Sequence, residues 1–338
     1  MKTKVYIIAE AGVNHNGDID VALKLIDAAK DAGADCVKFQ TFKAEQIVTE
    51  HSPKATYQLE VTDQKESQFD MLKKLELNMD DYKILMQICK DREIYFLSTP
   101  YNKEDIDFLD KIGVDGYKIA SGQLTEIPLL RYAARKRKTM IISTGMSTMS
   151  DVFNAVESIK AEDNNDIIVL QCTTNYPSKV EDANLLAMLS IKEACKVRIG
   201  YSDHIENNYA CFASVALGAE IVEKHFTLDK NMVGPDHSSS LMPQEFKELV
   251  NGIRDIEKAI GSGIKKPTDS ELDNVYGMRR SLVLLHNVEA GTILTEDMIG
   301  FKRTFNGLHV NMLDIIIGKP LIKSMKKDEA LQYDSIAW

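Results

Sequence analysis

Two lysines stand inside apolar, β-branched runs: Lys38 within Ala34–Phe42 and Lys118 within Gly116–Ser121. A buried ammonium is strongly unfavourable unless it is paired. Each lysine must therefore meet either an anionic ligand or a neighbouring carboxylate such as Glu10 or Glu223. Small polar residues close several similar runs: Ser98-Thr99-Pro100, Ser121-Gly122-Gln123, Ser143-Thr144-Gly145, Thr173-Thr174-Asn175-Tyr176 and Ser202-Asp203-His204. Hydroxyls and backbone N–H groups beside lysines are the parts of a phosphate or carboxylate cradle. His204 and His225 end two consecutive runs, with Asp203, Asp236 and Glu10 as possible neighbours. Two imidazoles there would either be satisfied core histidines or hold one divalent ion. In the second case water or substrate would complete the shell, which leaves a Lewis-acid site.

These groups need a scaffold that brings run ends together. Apolar runs recur at Val5–Gly12, Ala34–Phe42, Ile94–Pro100, Gly116–Ser121, Thr139–Gly145, Asp166–Thr173, Val197–His204 and Ile221–Thr227. Helical patterns alternate with them, beginning with Ile19–Gly33, whose apolar residues Ala22, Leu25, Ile26 and Ala29 keep a helical period. Nearly continuous apolar strands signal a sheet buried on both faces. Eight alternations predict a (β/α)₈ TIM barrel, with a doubly wound open sheet as the alternative. In such a barrel catalytic groups sit at the carboxyl ends of the strands, where the polar residues above collect. The connection Lys43–Glu93 is long, and its polar stretch Ser52–Ser67 reads as a loop or short hairpin over the barrel mouth.

The character changes after the helix Pro243–Ile260. Gly261–Thr268 clusters Gly, Ser, Lys and Pro, which marks a linker. Short β segments are expected at Ser281–Leu285, Thr292–Leu294 and Gly300–Lys302. The organisation expected is a catalytic barrel over 1–262, a linker over 263–278 and a small β-rich domain over 279–338. So few residues make a marginal domain, one expected to lean on the barrel or on a partner chain.

Composition narrows the function classes. With 51 acidic and 41 basic residues, the 338-residue chain carries a net charge of −10. Such a chain repels nucleic acid and anionic lipid, so neither is an expected partner. An anionic substrate must be held by a few placed cations. The five cysteines are widely spaced without a C-x-x-C pair, which excludes a disulfide framework and suits the cytoplasm. No run approaches a membrane span, and the apolar run after Met1–Lys4 stops at Glu10, too short for a signal peptide.

Several segments, in this order, resemble the sialic acid synthase family, N-acetylneuraminate synthase and its relatives. They are Ile8–Gly17, Val37–Phe42, Ser98–Pro100, Lys118–Gly122, Ile142–Met146, Gly200–His204, Glu223–Thr227 and Gly234–His237. The segment from Arg279 to Arg303 is similar to the antifreeze-like (SAF) domain that ends these enzymes. The resemblance implies condensation of phosphoenolpyruvate with the open-chain aldehyde of an N-acetylated mannosamine, releasing phosphate by C–O cleavage. It implies catalytic roles for Glu10, Lys38 and Asp236. It implies substrate contacts from Gln40, Thr99, Lys118, Ser121, Gln123, Ser143, Thr174, Tyr176 and Ser202. His204 and His225 would bind manganese or magnesium. Arg303 would reach the N-acetyl group in the partner's barrel of a domain-swapped homodimer. Gln123 replaces a glutamate common in the family, Thr174-Asn175 stands where asparagine is often first, and Thr304-Phe305 replaces the usual Pro-Gly. N-acetylmannosamine, giving N-acetylneuraminate, is the first acceptor expected. The alternative is a 2,4-diacetamido-2,4,6-trideoxymannose, giving N,N'-diacetyllegionaminate. A Schiff-base aldolase using Lys118 is a remote alternative, and a sugar- or ice-binding module is the non-enzymatic one.

Overall fold

The computed structural model describes residues 4–338, without the side chains of Tyr57 and Glu60. Its eight parallel strands are β1 (Tyr6–Gly12), β2 (Cys36–Thr41), β3 (Tyr95–Pro100), β4 (Gly116–Ile119), β5 (Thr139–Ser143), β6 (Ile167–Cys172), β7 (Arg198–Asp203) and β8 (Ile221–His225). They pair in the order β3-β2-β1-β8-β7-β6-β5-β4, and β3 packs beside β4 to close the barrel. The helices around them are α1 (Ile19–Asp31), α2 (Ala44–Ile47), α3 (Thr56–Val61), α4 (Gln68–Lys74), α5 (Met79–Asp91), α6 (Lys103–Ile112), α7 (Ile127–Ala134), α8 (Met149–Lys160), α9 (Leu186–Cys195), α10 (Tyr209–Ala216) and α11 (Pro243–Ile260). Local signals start them: the Asp18 side chain caps α1, and Asn102–Asp105 and Thr148–Asp151 form capping boxes.

Side chains alternate across each strand, and both faces are filled. Outward residues such as Ile7, Val37, Phe39, Ile142, Val169 and Val222 join the core beneath the helices. Inward, Ile8, Cys36, Leu97, Ile141, Ile168, Leu170 and Ile221 form a separate apolar layer that plugs the barrel. Two residues further along the same strands stand Glu10, Lys38, Thr99, Ser143, Cys172 and Glu223. The switch from apolar to polar along the inner face sets a dry floor under a charged chamber.

The polar connection after β2 is not a hairpin. It folds into α2, α3 and α4. Lys54 organises it, its ammonium donating to Thr62 Oγ1 at 2.9 Å, the Asp63 carbonyl at 2.7 Å and Glu66 Oε1 at 3.0 Å. Within the polar stretch Ser52–Ser67 only α3 is helical and the remainder is loop, so the loop expectation holds in part, and its polar residues serve the insert's own internal bonds.

The chain divides into a unit ending at Gly261 and a second spanning Ser262–Trp338. Within the stretch 263–278 the structure contains the helix α12 (Leu272–Met278). The second unit pairs β9 (Arg280–Leu284) antiparallel with β10 (Ile299–Arg303) and adds α13 (Leu313–Ile316). Thr292–Leu294 is not a ladder strand; Ile293 makes one isolated bridge to Pro320. Leu282, Leu284, Leu308, Ile316 and Leu331 bury one another in a core of the unit's own. Among the described residues no helix is long and apolar enough to cross a membrane, and all five cysteines are free and buried.

Ile8 is fully buried in the plug. Ile8→Ala is expected to destabilise the barrel by about 2–5 kcal/mol, the cost of an unrelaxed core cavity. Chemical denaturation checks this, and an unchanged midpoint would mean that the plug is not packed as described.

Candidate active site

A cavity of about 250 Å³ opens at the carboxyl ends of the strands. Thirteen of the fifteen residues singled out in the sequence line it: Glu10, Lys38, Gln40, Thr99, Lys118, Ser121, Ser143, Thr174, Tyr176, Ser202, His204, His225 and Asp236. Gln123 does not, and Arg303 belongs to the second unit.

At its base lie two lysines and two carboxylates. Lys38 Nζ is 2.6 Å from Glu10 Oε2 and 3.8 Å from Glu223 Oε1, and it donates to Thr99 Oγ1 at 3.3 Å. Lys118 Nζ is 3.1 Å from Glu223 Oε1, which also accepts from Ser202 Oγ at 3.2 Å. Both lysines are thus paired with the carboxylates weighed as their alternative partners, while both still face the cavity. All four side chains are buried. Burial pushes Glu10 up to about 7, against the pull of Lys38. Burial also acts to raise Glu223, but Lys118 and Lys38 outweigh it and hold that carboxyl below its ordinary value. Two carboxylates in one chamber thus differ in proton affinity, as acid–base chemistry requires. Glu223 was only a neighbour in the sequence reading. Its place two residues before His225, on the same strand face, is the signal that could have found it.

Hydroxyls gather around Gly145. Its N–H donates to Ser121 Oγ at 3.0 Å, and a Cβ here would meet Thr174 Oγ1 at 2.0 Å and Ser121 Oγ at 2.9 Å. Ser143 Oγ and Thr174 Oγ1 are buried without a hydrogen-bond partner, as are Glu223 Oε2 and His225 Nδ1. Orphaned polar atoms cost about 1–3 kcal/mol each. Their convergence on one cavity is what a polar ligand would resolve.

The two imidazoles meet the tests for a cation site in part. Their ring centroids are 5.3 Å apart, and the Tyr176 ring packs against both. His204 Nδ1 gives its proton to the Thr173 carbonyl at 2.7 Å, so its Nε2 carries the lone pair in the neutral ring. Burial holds His225 well below its ordinary value, which keeps it neutral, with Nδ1 unpartnered and 3.9 Å from Asp236 Oδ2. This donor set suits a two-nitrogen site with open positions. No group of three or more His, Cys, Asp or Glu poised for a metal occurs among the described residues. Asp203 does not belong to it. It follows Ser202 on β7 and so points outward, where Oδ2 pairs with Lys224 Nζ at 2.6 Å.

Gln123 has a different task from the substrate contact expected. Its Oε1 accepts from Ala120 N at 3.2 Å and its Nε2 donates to the Pro100 carbonyl at 2.9 Å. The amide ties the end of β4 to the end of β3, and a glutamate could not make the second bond. Arg303 lies exposed on β10 of the second unit, opposite Arg280. The cavity also gains residues that sequence reasoning missed. Tyr101 donates to Gln40 Oε1 at 3.1 Å, and Gln40 donates to Glu10 Oε1 at 3.3 Å. Met71, Leu72 and Leu75 come from the insert.

Gly145→Ala is expected to displace Thr174, whose Oγ1 would lie 2.0 Å from the new Cβ, and to weaken binding of a small oxyanion in this cavity roughly ten-fold or more, the loss of one charge-assisted hydrogen bond. Calorimetric titration with inorganic phosphate checks this, and an unchanged affinity would place the anion site elsewhere.

Residues 25–265 match the NeuB family and residues 279–337 the SAF domain. The chain is 45% identical to the N,N'-diacetyllegionaminic acid synthase of Campylobacter jejuni, over 97% of this chain and 99% of that one. It is 39% identical to the Legionella pneumophila protein of the same name, over 98% and 94%. The crystal structure of an N-acetylneuraminic acid synthetase from Leptospira borgpetersenii in complex with citrate aligns with a TM-score of 0.72 at 34% identity, covering 81% of this chain and 90% of that one. A parallel barrel with this cavity, followed by a SAF domain, is the architecture of a NeuB-family condensing enzyme, and to that family the chain belongs.

Proposed function

We propose that the chain condenses phosphoenolpyruvate with the open-chain aldehyde of an N-acetylated aminosugar, and that the acceptor is 2,4-diacetamido-2,4,6-trideoxymannose, giving N,N'-diacetyllegionaminate. One observation carries the reaction class: two lysines and a set of unpartnered hydroxyls share a buried cavity with two imidazoles. The acceptor preference reverses the order reached from the motifs, which put N-acetylmannosamine first. Higher identity to two diacetyllegionaminic acid synthases than to the neuraminic acid synthetase supports the reversal.

The roles follow from the contacts. Lys38 and Lys118 hold the anionic groups of phosphoenolpyruvate, with Ser121, Ser143 and Thr174 on its phosphate and Thr99 and Ser202 steadying the lysine–carboxylate cluster. Carbon 3 attacks the aldehyde carbon, a C–C bond forms, and positive charge develops at carbon 2. Glu10 stabilises that charge and takes a proton from the water that adds there, a role suited by its affinity near neutrality. The resulting hemiketal phosphate breaks its C2–O bond, so phosphoenolpyruvate, aldehyde and water become keto acid and phosphate. A manganese or magnesium ion held by His204 and His225 would supply Lewis acidity toward the aldehyde oxygen. Gln40, Tyr176 and Asp236 line the side of the cavity proposed for the sugar. The Schiff-base alternative finds less support, because Lys118 is engaged with Glu223 rather than presenting an open amine.

Phosphate release should require phosphoenolpyruvate together with the diacetamido sugar, stop with EDTA and resume with manganese, and His204→Ala should lose that response. Turnover with N-acetylmannosamine alone would restore the first acceptor reading. Full activity in the chelated enzyme would remove the metal.

We further propose a homodimer in which Arg303 of one subunit completes the other's barrel. A Glu10→Ala chain mixed with an Arg303→Ala chain should then recover part of the activity, because one hybrid site holds both native residues. No recovery after confirmed subunit exchange would show that the arginine does not act across subunits.

A further inference from the structure

We propose that the helical insert between β2 and β3 forms a subsite for the C6 methyl group of the acceptor, and that this wall, not the phosphate cradle, sets acceptor choice. The proposal rests on the condensing reaction above. Val13, Phe42, Met71 and Leu75 close into a buried apolar cluster with Ile47 and Leu72 packed against it. All six also line the cavity whose other walls carry lysines, carboxylates and hydroxyls. They come from the ends of β1 and β2 and from α2 and α4. The phosphate hydroxyls come from the ends of β4, β5 and β6, which stand across the barrel in the strand order. His225 on β8 neighbours β1, so a sugar with its aldehyde at the imidazoles can extend its tail toward the apolar wall.

The wall is held in place before any ligand arrives. Glu76, just after α4, accepts from Ala44 N at 2.8 Å and pairs with Lys43 at 3.1 Å, which fastens α4 to α2. Gly17, at φ +75°, lets the loop after β1 lie against α4. A Cβ there would meet the Lys74 carbonyl at 2.4 Å. At the polar edge, Gln68 Nε2 donates to Gln58 Oε1 at 3.3 Å, so two amides are tied to each other beside the apolar patch. A methyl group fills such a wall, whereas a hydroxyl turned into its aliphatic side chains finds no hydrogen-bond partner among them. A hydrophobic pocket rejects an added hydroxyl by up to about 100-fold.

The test uses the full-length enzyme with manganese and saturating phosphoenolpyruvate. It compares kcat/KM for 2,4-diacetamido-2,4,6-trideoxymannose with that for its 6-hydroxy counterpart, 2,4-diacetamido-2,4-dideoxymannose. The deoxy sugar is expected to win by roughly 10- to 100-fold. Leu72→Gln, at a half-buried position on α4, should cut that ratio roughly ten-fold through the acceptor's KM while the phosphoenolpyruvate KM holds. Leu72→Met should keep it. A native ratio near one, or an unchanged ratio in Leu72→Gln, overturns the subsite and leaves the condensation standing. Phosphate release with neither sugar overturns the condensing reading and the subsite with it.

Discussion

The buried ion cluster Glu10–Lys38–Glu223–Lys118 is the constraint on which the barrel mouth depends. Removing one member of such a group typically costs several kcal/mol, because it leaves an uncompensated charge in a dry place. The cluster therefore tolerates little freedom in strand register. Glu10 stands opposite Lys38 across β1 and β2 and opposite His225 across β1 and β8, and Ser202 stands opposite Glu223 across β7 and β8. A slip of one residue would turn every one of these side chains into the helix layer and bring apolar groups into the chamber. The apolar plug beneath them prevents that slip and keeps water from reaching the charges from below.

The cluster also explains how a chain of net charge −10 can receive a polyanion. Two cations are held ready, each already oriented by a carboxylate. An arriving phosphate or carboxylate competes for ammonium groups whose positions are fixed, so little ordering entropy is lost on binding. Opposing shifts in Glu10 and Glu223 arise from the same arrangement. Both are desolvated, but Glu223 touches both lysines while Glu10 has the close contact with Lys38 alone. The difference between the two carboxyls thus comes from geometry rather than from residue type.

Around this core the loops divide the work. The connections after β4 and β6 and the end of β5 supply hydroxyls at fixed points, with Gly145 admitting Ser121 and Thr174 to one spot. The longer connection after β2 builds helices whose apolar side chains form the opposite wall. Behind the imidazoles, Asp203 and Lys224 pair on the outer face, so the residues flanking both histidines brace the strands that carry them.

Much of this was legible in order and type alone. Eight apolar runs separated by helical periods specify a parallel sheet buried on both faces, and their number favours a closed barrel over a doubly wound open sheet. Polar residues at the run ends follow from the same geometry, so Lys38, Lys118, His204 and His225 stood out without coordinates. The chain's membership of the NeuB family was equally present in its motifs. What the linear order could not decide were directions and distances. Whether Asp203 or Ser202 faces the chamber turns on strand phase, and whether Gln123 meets a ligand or a carbonyl turns on where β3 ends relative to β4. Glu223 became central only when β8 closed against β1 and β7 and set its carboxylate between two lysines from β2 and β4. The insert's helices escaped for a related reason: their polar residues bond to one another and their few apolar ones form a surface only after α4 docks on α2. Sequence determines which groups are present and the period on which they repeat. Tertiary structure decides which of them meet, because contacts between residues far apart in the chain depend on closure of the barrel.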